Sequence, residues 1–270
     1  MKKSARPGKV ALAISLILSA TSISSFGQEG KIVLRFENMF GKDTLKFNKE
    51  YVDYSRETVK FSTLNYFISN IELTKASGEV VKNPGLYFIV KQSDPGSKKI
   101  ELDVPEGKYR SVRFMIGVDS ARSTMGADKR LGALDVAGAA RGMYWAWNSG
   151  YIFFKLEGRS KSVPDSLRNS FFYHIGGYGG FDEKTINNIR YKDFRFDHVV
   201  KVSDSKEAEV SIGVDIEKFY SGKTLIAVAT YPSIMWGPVS VKIADNYVDI
   251  FSLRSVSVRK RKQNAVAAGF

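Results

Sequence analysis

The chain has 270 residues, 43% of them hydrophobic and 13% aromatic, which is ample apolar surface for a folded core and excludes a disordered chain. It contains no cysteine, so disulfides and cysteine-based metal sites are excluded, and its only histidines are His174 and His198. Of the formal charge of +13, four charges sit in an N-terminal leader and four in a C-terminal run of Arg259 to Lys262; the remaining +5 serves solubility, and with no base-stacking or groove-reading motif nucleic acid is not expected as a partner.

The chain opens with Lys2, Lys3, Arg6 and Lys9, followed by the apolar run Val10 to Ile23 and by small residues at Ser25 and Gly27. That pattern is a secretory signal peptide over residues 1–27. The apolar run is too short for a spanning helix, which needs about 20 residues, and no later segment is long enough. The mature protein is therefore expected to be periplasmic or secreted, with no transmembrane segment. The rest divides into one β-rich domain, 28–253, and a basic flexible tail, 254–270.

Period two dominates from there on. Ile32, Leu34 and Phe36 alternate in "KIVLRFEN", Val112, Phe114 and Ile116 in "KYRSVRFMIGVD", and Ile152, Phe154 and Leu156 in "YIFFKLEG". The same alternation aligns Val210, Ile212 and Val214, while "TLIAVAT" at 224–230 is a continuous apolar run expected to be a doubly buried strand. Breaks such as "NPG", "SDPGS" and "VPEGK" punctuate these runs. Ser120 to Arg141 and Glu157 to Ser170 are expected as long loops bracketing the segment "GMYWAWNSGY". Near the end, Val239, Ile243, Tyr247, Ile250 and Phe251 share a helical face behind Pro238, a residue suited to a first helical turn. The fold class expected is mainly β: a β-sandwich with long loops and a C-terminal amphipathic helix.

Catalytic parts are sparse. There is no Gly-x-Ser-x-Gly elbow and no phosphate-binding loop, and two histidines cannot furnish a usual zinc site. Asp119 and Asp135 are acids on the first long loop, read as turn caps or partners of Arg122 and Arg141. The expectation is a protein that is not an enzyme. His198 alternates with Phe196, Val200 and Val202 and reads as a satisfied core histidine. His174, in "SFFYHIGGYGG", shares a strand face with Phe172, ahead of glycines that let backbone approach closely. Trp145 and Trp147 lie two apart with Met143 beside them, and the turn-formers Asn148, Ser149 and Gly150 follow. The residues leave open whether these indoles are core or a sugar-stacking face; a thioether and an imidazole also suit reduced copper better than hard cations.

Five motifs, "TLNYFISNIEL", "GKYRSVRFMIGVD", "LGALDVAGAARGMYWAWNSGYIFFKLEG", "FYHIGG" and "ADNYVDIFSL", occur in the order of bacterial MbnP-like proteins, which the chain resembles from about Lys31 to Leu253. These exported copper-binding proteins are related to the MopE/CorA group of methane-oxidising bacteria. The resemblance implies copper held by histidine together with a tryptophan oxidised to kynurenine, the oxidation being attributed to a partner of the dihaem cytochrome peroxidase type. Carried onto this sequence, it implies His174, Trp145 and Trp147 as site residues, with Met143 as neighbour. Where the best-known family site has a histidine two residues after the modified tryptophan, this chain has Trp147. The alternative function is a metal-independent sandwich that binds carbohydrate or a cell-envelope partner on a platform of Trp145, Trp147 and Tyr151, with Lys155 and Glu157 beside it.

Overall fold

The computed structural model describes residues 29–147, 150–180 and 182–261; the leader, 1–27, lies outside them. In chain order the strands are β1 (Glu29–Phe40), β2 (Asp43–Thr44), β3 (Glu50–Val52), β4 (Thr58–Lys75), β5 (Val80–Lys91), β6 (Lys99–Pro105) and β7 (Gly107–Ile116). They continue with β8 (Tyr144–Trp145), β9 (Gly150–Ser160), β10 (Ser170–Gly176), β11 (Arg190–Val202), β12 (Lys206–Asp215), β13 (Ser233–Ile234) and β14 (Phe251–Lys260). The α-helices are α1 (Ser120–Ser123), α2 (Glu217–Ser221) and α3 (Pro238–Asp249).

Two sheets form the β-sandwich. One runs β14-β12-β1-β2 with β6 also on β1; the other runs β11-β7-β4-β9-β10-β13 and carries β3, β5 and β8. The apolar alternation of each strand fills the space between them: Leu34 and Phe36 from β1 and Val210 and Ile212 from β12 meet Leu64 and Tyr66 from β4 and Phe154 and Leu156 from β9. Phe36 and Phe114 face each other across this core, ring centroids 5.9 Å apart. Helix α3 presents Ile243 and Tyr247 to the same core and stacks Tyr247 on Phe154 at 5.5 Å.

Part of the outer face of the larger sheet is buried as well. Phe67 of β4 and Tyr151 and Phe153 of β9 point away from the main core into a second cluster, covered by the stretch between β7 and β9 through Val118, Leu134, Ala140, Met143 and Trp145. The four-residue apolar run at the start of β9 thus serves two cores. Among the described residues no helix is long and apolar enough to cross a membrane.

Several expectations need correction. The apolar run at 224–230 is not a strand: several of its backbone N–H groups are taken by side chains, Thr224 N–H by Asn246 Oδ1 at 2.9 Å, and those of Val228 and Ala229 by the Glu57 carboxylate at 2.8 and 3.2 Å, and others by local turns. The expected flexible tail is ordered strand as far as Lys260, because β14 pairs with β12 and Arg259 meets Glu207 at 2.6 Å and Glu209 at 3.1 Å. Helix α3 therefore precedes the last strand rather than closing the chain, and residues 262–270 lie outside the described residues. The second expected loop shortens to the residues between Ser160 and Ser170, since β9 and β10 extend into it. His198 is no core residue: the β11–β7 register shifts between Arg195 and Val200, and the bulge turns the imidazole outward against Asp197, Nδ1 to Oδ1 2.6 Å.

Candidate functional site

The candidate site is built on the outer face of β10. Phe171, Tyr173 and Ile175 belong to the main core, so strand alternation sends Phe172, His174 and Gly176 to the other side. There the His174 imidazole lies largely buried, with Nε2 2.7 Å from Glu157 Oε1 of neighbouring β9. Glu157 also accepts from Thr63 Oγ1 at 2.7 Å and lies 3.2 Å from Lys155 Nζ, which donates to the Gly142 carbonyl at 3.1 Å. His174, acting by hydrogen bond, is the largest cause of a Glu157 carboxyl held down to about 2; burial opposes, and Thr63 and Lys155 add to the lowering. The sequence named Glu157 only as a polar neighbour. Its partnership with His174 depends on the antiparallel β9–β10 pairing, which has no local signature.

Two residues beyond His174, about 7 Å along the strand, Gly176 forms a floor. A Cβ there would lie 2.9 Å from Cζ3 and 3.1 Å from Cη2 of Trp145, so the indole rests directly on glycine backbone. The next glycine does the same for the third tryptophan: a Cβ on Gly177, whose φ is +113°, would lie 3.1 Å from Cζ3 of Trp236. The His-Ile-Gly-Gly sequence is thus a platform carrying one imidazole and two indoles.

Trp145 is only 4% exposed, held by the pairing of β8 with β9. Its ring centroid lies 5.3 Å from that of Trp147 and 6.1 Å from that of Trp236, the latter pair crossing at 76°. Trp147 is 64% exposed. Met143 is sealed in the outer core, its N–H on the Ala140 carbonyl and its own carbonyl accepting from Ile152 N–H at 2.9 Å. Tyr144, between them in sequence, lies under the Arg130 guanidinium, 4.1 Å from the ring centroid. A cleft of about 440 Å³ opens beside Trp145 and Trp236; His174 and Trp147 do not line it.

The structure therefore brings Met143, Trp145 and Trp147 into one neighbourhood and sets His174 on the same sheet face, outside the cleft. Sequence reasoning missed Trp236, Gly176 and Gly177 as parts of this arrangement. The aromatic platform of the alternative reading is not formed as expected, because Trp145 and Tyr151 are buried and leave Trp147 alone facing solvent. Asp119 and Asp135 cap local turns, accepting from Arg122 N–H at 3.0 Å and Ala137 N–H at 2.9 Å, and Asp119 also accepts from Asn70 Nδ2 at 3.0 Å and from the Tyr87 hydroxyl. Among the described residues no group of three or more His, Cys, Asp and Glu side chains converges to hold a metal ion.

The family model described as MbnP matches residues 29–236. The chain belongs to the MbnP family. Its fold is similar to that of MbnP from Methylosinus trichosporium, with a TM-score of 0.55 and 14% identity over 86% of this chain and 99% of that one. No curated protein sequence matches the chain. The MbnP match begins with β1 and ends on Trp236, so it contains the whole platform, both glycines and all three tryptophans; α3 and β14, including the motif "ADNYVDIFSL", lie beyond it.

Proposed function

We propose that this MbnP-family protein is exported and has a metal-related binding role, with copper taken at His174 beside Trp145. The observation that supports this reading is the His174–Glu157 pair. A metal-binding imidazole characteristically gives its other ring N–H to a carboxylate, which fixes its orientation and raises its basicity. With the proton assigned to Nε2 by the 2.7 Å contact, Nδ1 keeps a free lone pair. Reduced copper accepts imidazole readily and needs few ligands.

Whether the residues fit copper turns on donor chemistry. His174 fits. Trp145 as encoded does not, since the indole nitrogen lone pair belongs to the ring system, and the Met143 thioether is sealed in the outer core. A four-electron oxidation that breaks the C2–C3 bond of the Trp145 indole and adds oxygen to both carbons, followed by hydrolysis that releases C2 as formate, would give kynurenine, whose aromatic amine beside a ketone supplies the second donor. Trp145 is favoured over Trp147 because it is fixed on the Gly176 floor, on the face that carries His174, while Trp147 projects into solvent. The oxidant is assigned to a partner of the dihaem cytochrome peroxidase type. Bound copper supplies a cargo rather than a reaction centre in this account, and the protein is a binder, not an enzyme. Export rests on the leader of residues 1–27.

Calorimetric titration of the purified protein with reduced copper tests the reading. Saturable binding, weakened about tenfold or more by His174→Ala, is expected; no saturable binding, or full affinity in the variant, overturns it.

A further inference from the structure

The cleft beside the platform has a chemistry of its own. Trp145 and Trp236 meet near right angles to form an aromatic corner, Tyr178 and Thr185 extend the wall, and the charged residues lining it are Asp182 and Glu183. Among the described residues no lysine or arginine lines it, although the chain carries a net +13. Indole faces attract cations through the negative charge above the ring, more strongly than the other aromatic side chains, and carboxylates at the rim reinforce that preference. Trp145 itself is more than nine-tenths buried, so the indole face open to a ligand in this corner is chiefly that of Trp236.

We propose that the cleft binds a small organic cation of the quaternary ammonium class, for which choline is the probe. Its volume of about 440 Å³ suits a ligand of that size. A neutral sugar would stack on the indoles but leave the two carboxylates without a role. The proposal uses neither His174 nor copper and goes beyond the metal reading; it shares Trp145 with that reading and concerns the chain with Trp145 as the encoded indole.

The test is a titration of choline into the purified protein with a copper chelator present, followed by tryptophan fluorescence and calorimetry, with the uncharged carbon isostere of choline alongside. Saturable choline binding is expected, about tenfold or more tighter than the isostere and about tenfold or more weaker in Trp236→Leu and in the double variant Asp182→Asn, Glu183→Gln. Trp236 is partly exposed and both acids are exposed, so these substitutions leave the core intact. Absence of saturable choline binding, equal affinity for the isostere, or undiminished binding in both variants overturns the proposal. Because the chelator removes copper, a failure here leaves the His174 titration to be judged separately.

Discussion

Trp145 lies on Gly176. The backbone of one strand and the ring of another touch so closely that a methyl group at 176 would sit 2.9 Å from the indole, and it would also press on the Tyr151 carbonyl. The two residues are far apart in sequence, and the contact explains why a tryptophan segment and a glycine pair occur together in one chain.

Gly176→Ala is therefore expected to destabilise the fold by about 2–3 kcal/mol, the range for overpacking a site that cannot give way. Urea unfolding monitored by tryptophan fluorescence measures this. Gly96→Ala, where a Cβ meets only the flexible Asp94 carboxylate at 3.3 Å, serves as control and is expected to change stability by less than about 0.5 kcal/mol.

The tryptophans should part company on truncation. Trp145→Ala empties a buried site and is expected to cost about 3–5 kcal/mol. Trp147→Ala removes a largely exposed ring and is expected to cost under about 1 kcal/mol. Thermal unfolding of the two variants checks the contrast; equal losses would show that Trp147 is not the solvent-facing residue.

Glu157 gives a pH-dependent signature. Its carboxyl is held down to about 2 from an ordinary 4.5, so its stabilising contribution is complete above about pH 4.5 and fades as the pH falls through 2. The side chain is about four-fifths buried, and the contribution is about 2 kcal/mol. Glu157→Gln should be less stable than wild type by that amount at pH 7, with the gap closing between pH 4.5 and 2. A gap that stays constant across this range would contradict the assignment.

Asn246 holds the irregular apolar segment in place. Its Nδ2 donates to the carbonyls of Phe219 at 2.9 Å and Thr224 at 2.6 Å, and its Oδ1 accepts from Thr224 N–H; Asn246 itself is fully buried. Asn246→Ala leaves three backbone groups unpaired and is expected to cost about 3 kcal/mol. Hydrogen exchange should accelerate most around 219–226.

These positions also show how far the sequence could be read. Strands whose partners did not matter to the pattern, such as β1 with Ile32, Leu34 and Phe36, were legible from alternation alone, and Pro238 marked the start of α3. The segment at 224–230 has strand-like composition, but Asn246 and Glu57 claim its backbone, and both lie far away in sequence. The charges from Arg254 to Lys260 resemble a solvated tail until Glu207 and Glu209 are placed opposite them on β12. At the candidate site, the residue types and the local alternation that groups His174 with Phe172 and Trp145 with Trp147 are readable, whereas the Glu157 partner, the glycine floor and the common face of His174 and Trp145 exist only once β8, β9 and β10 are paired.

The central claim is tested most directly on protein purified from its native host, by metal analysis together with mass spectrometry of the peptide that spans Trp145 and Trp147. The account predicts stoichiometric copper and a peptide carrying the mass change of one tryptophan converted to kynurenine, located at Trp145. Two unmodified tryptophans in protein that carries no copper would contradict it.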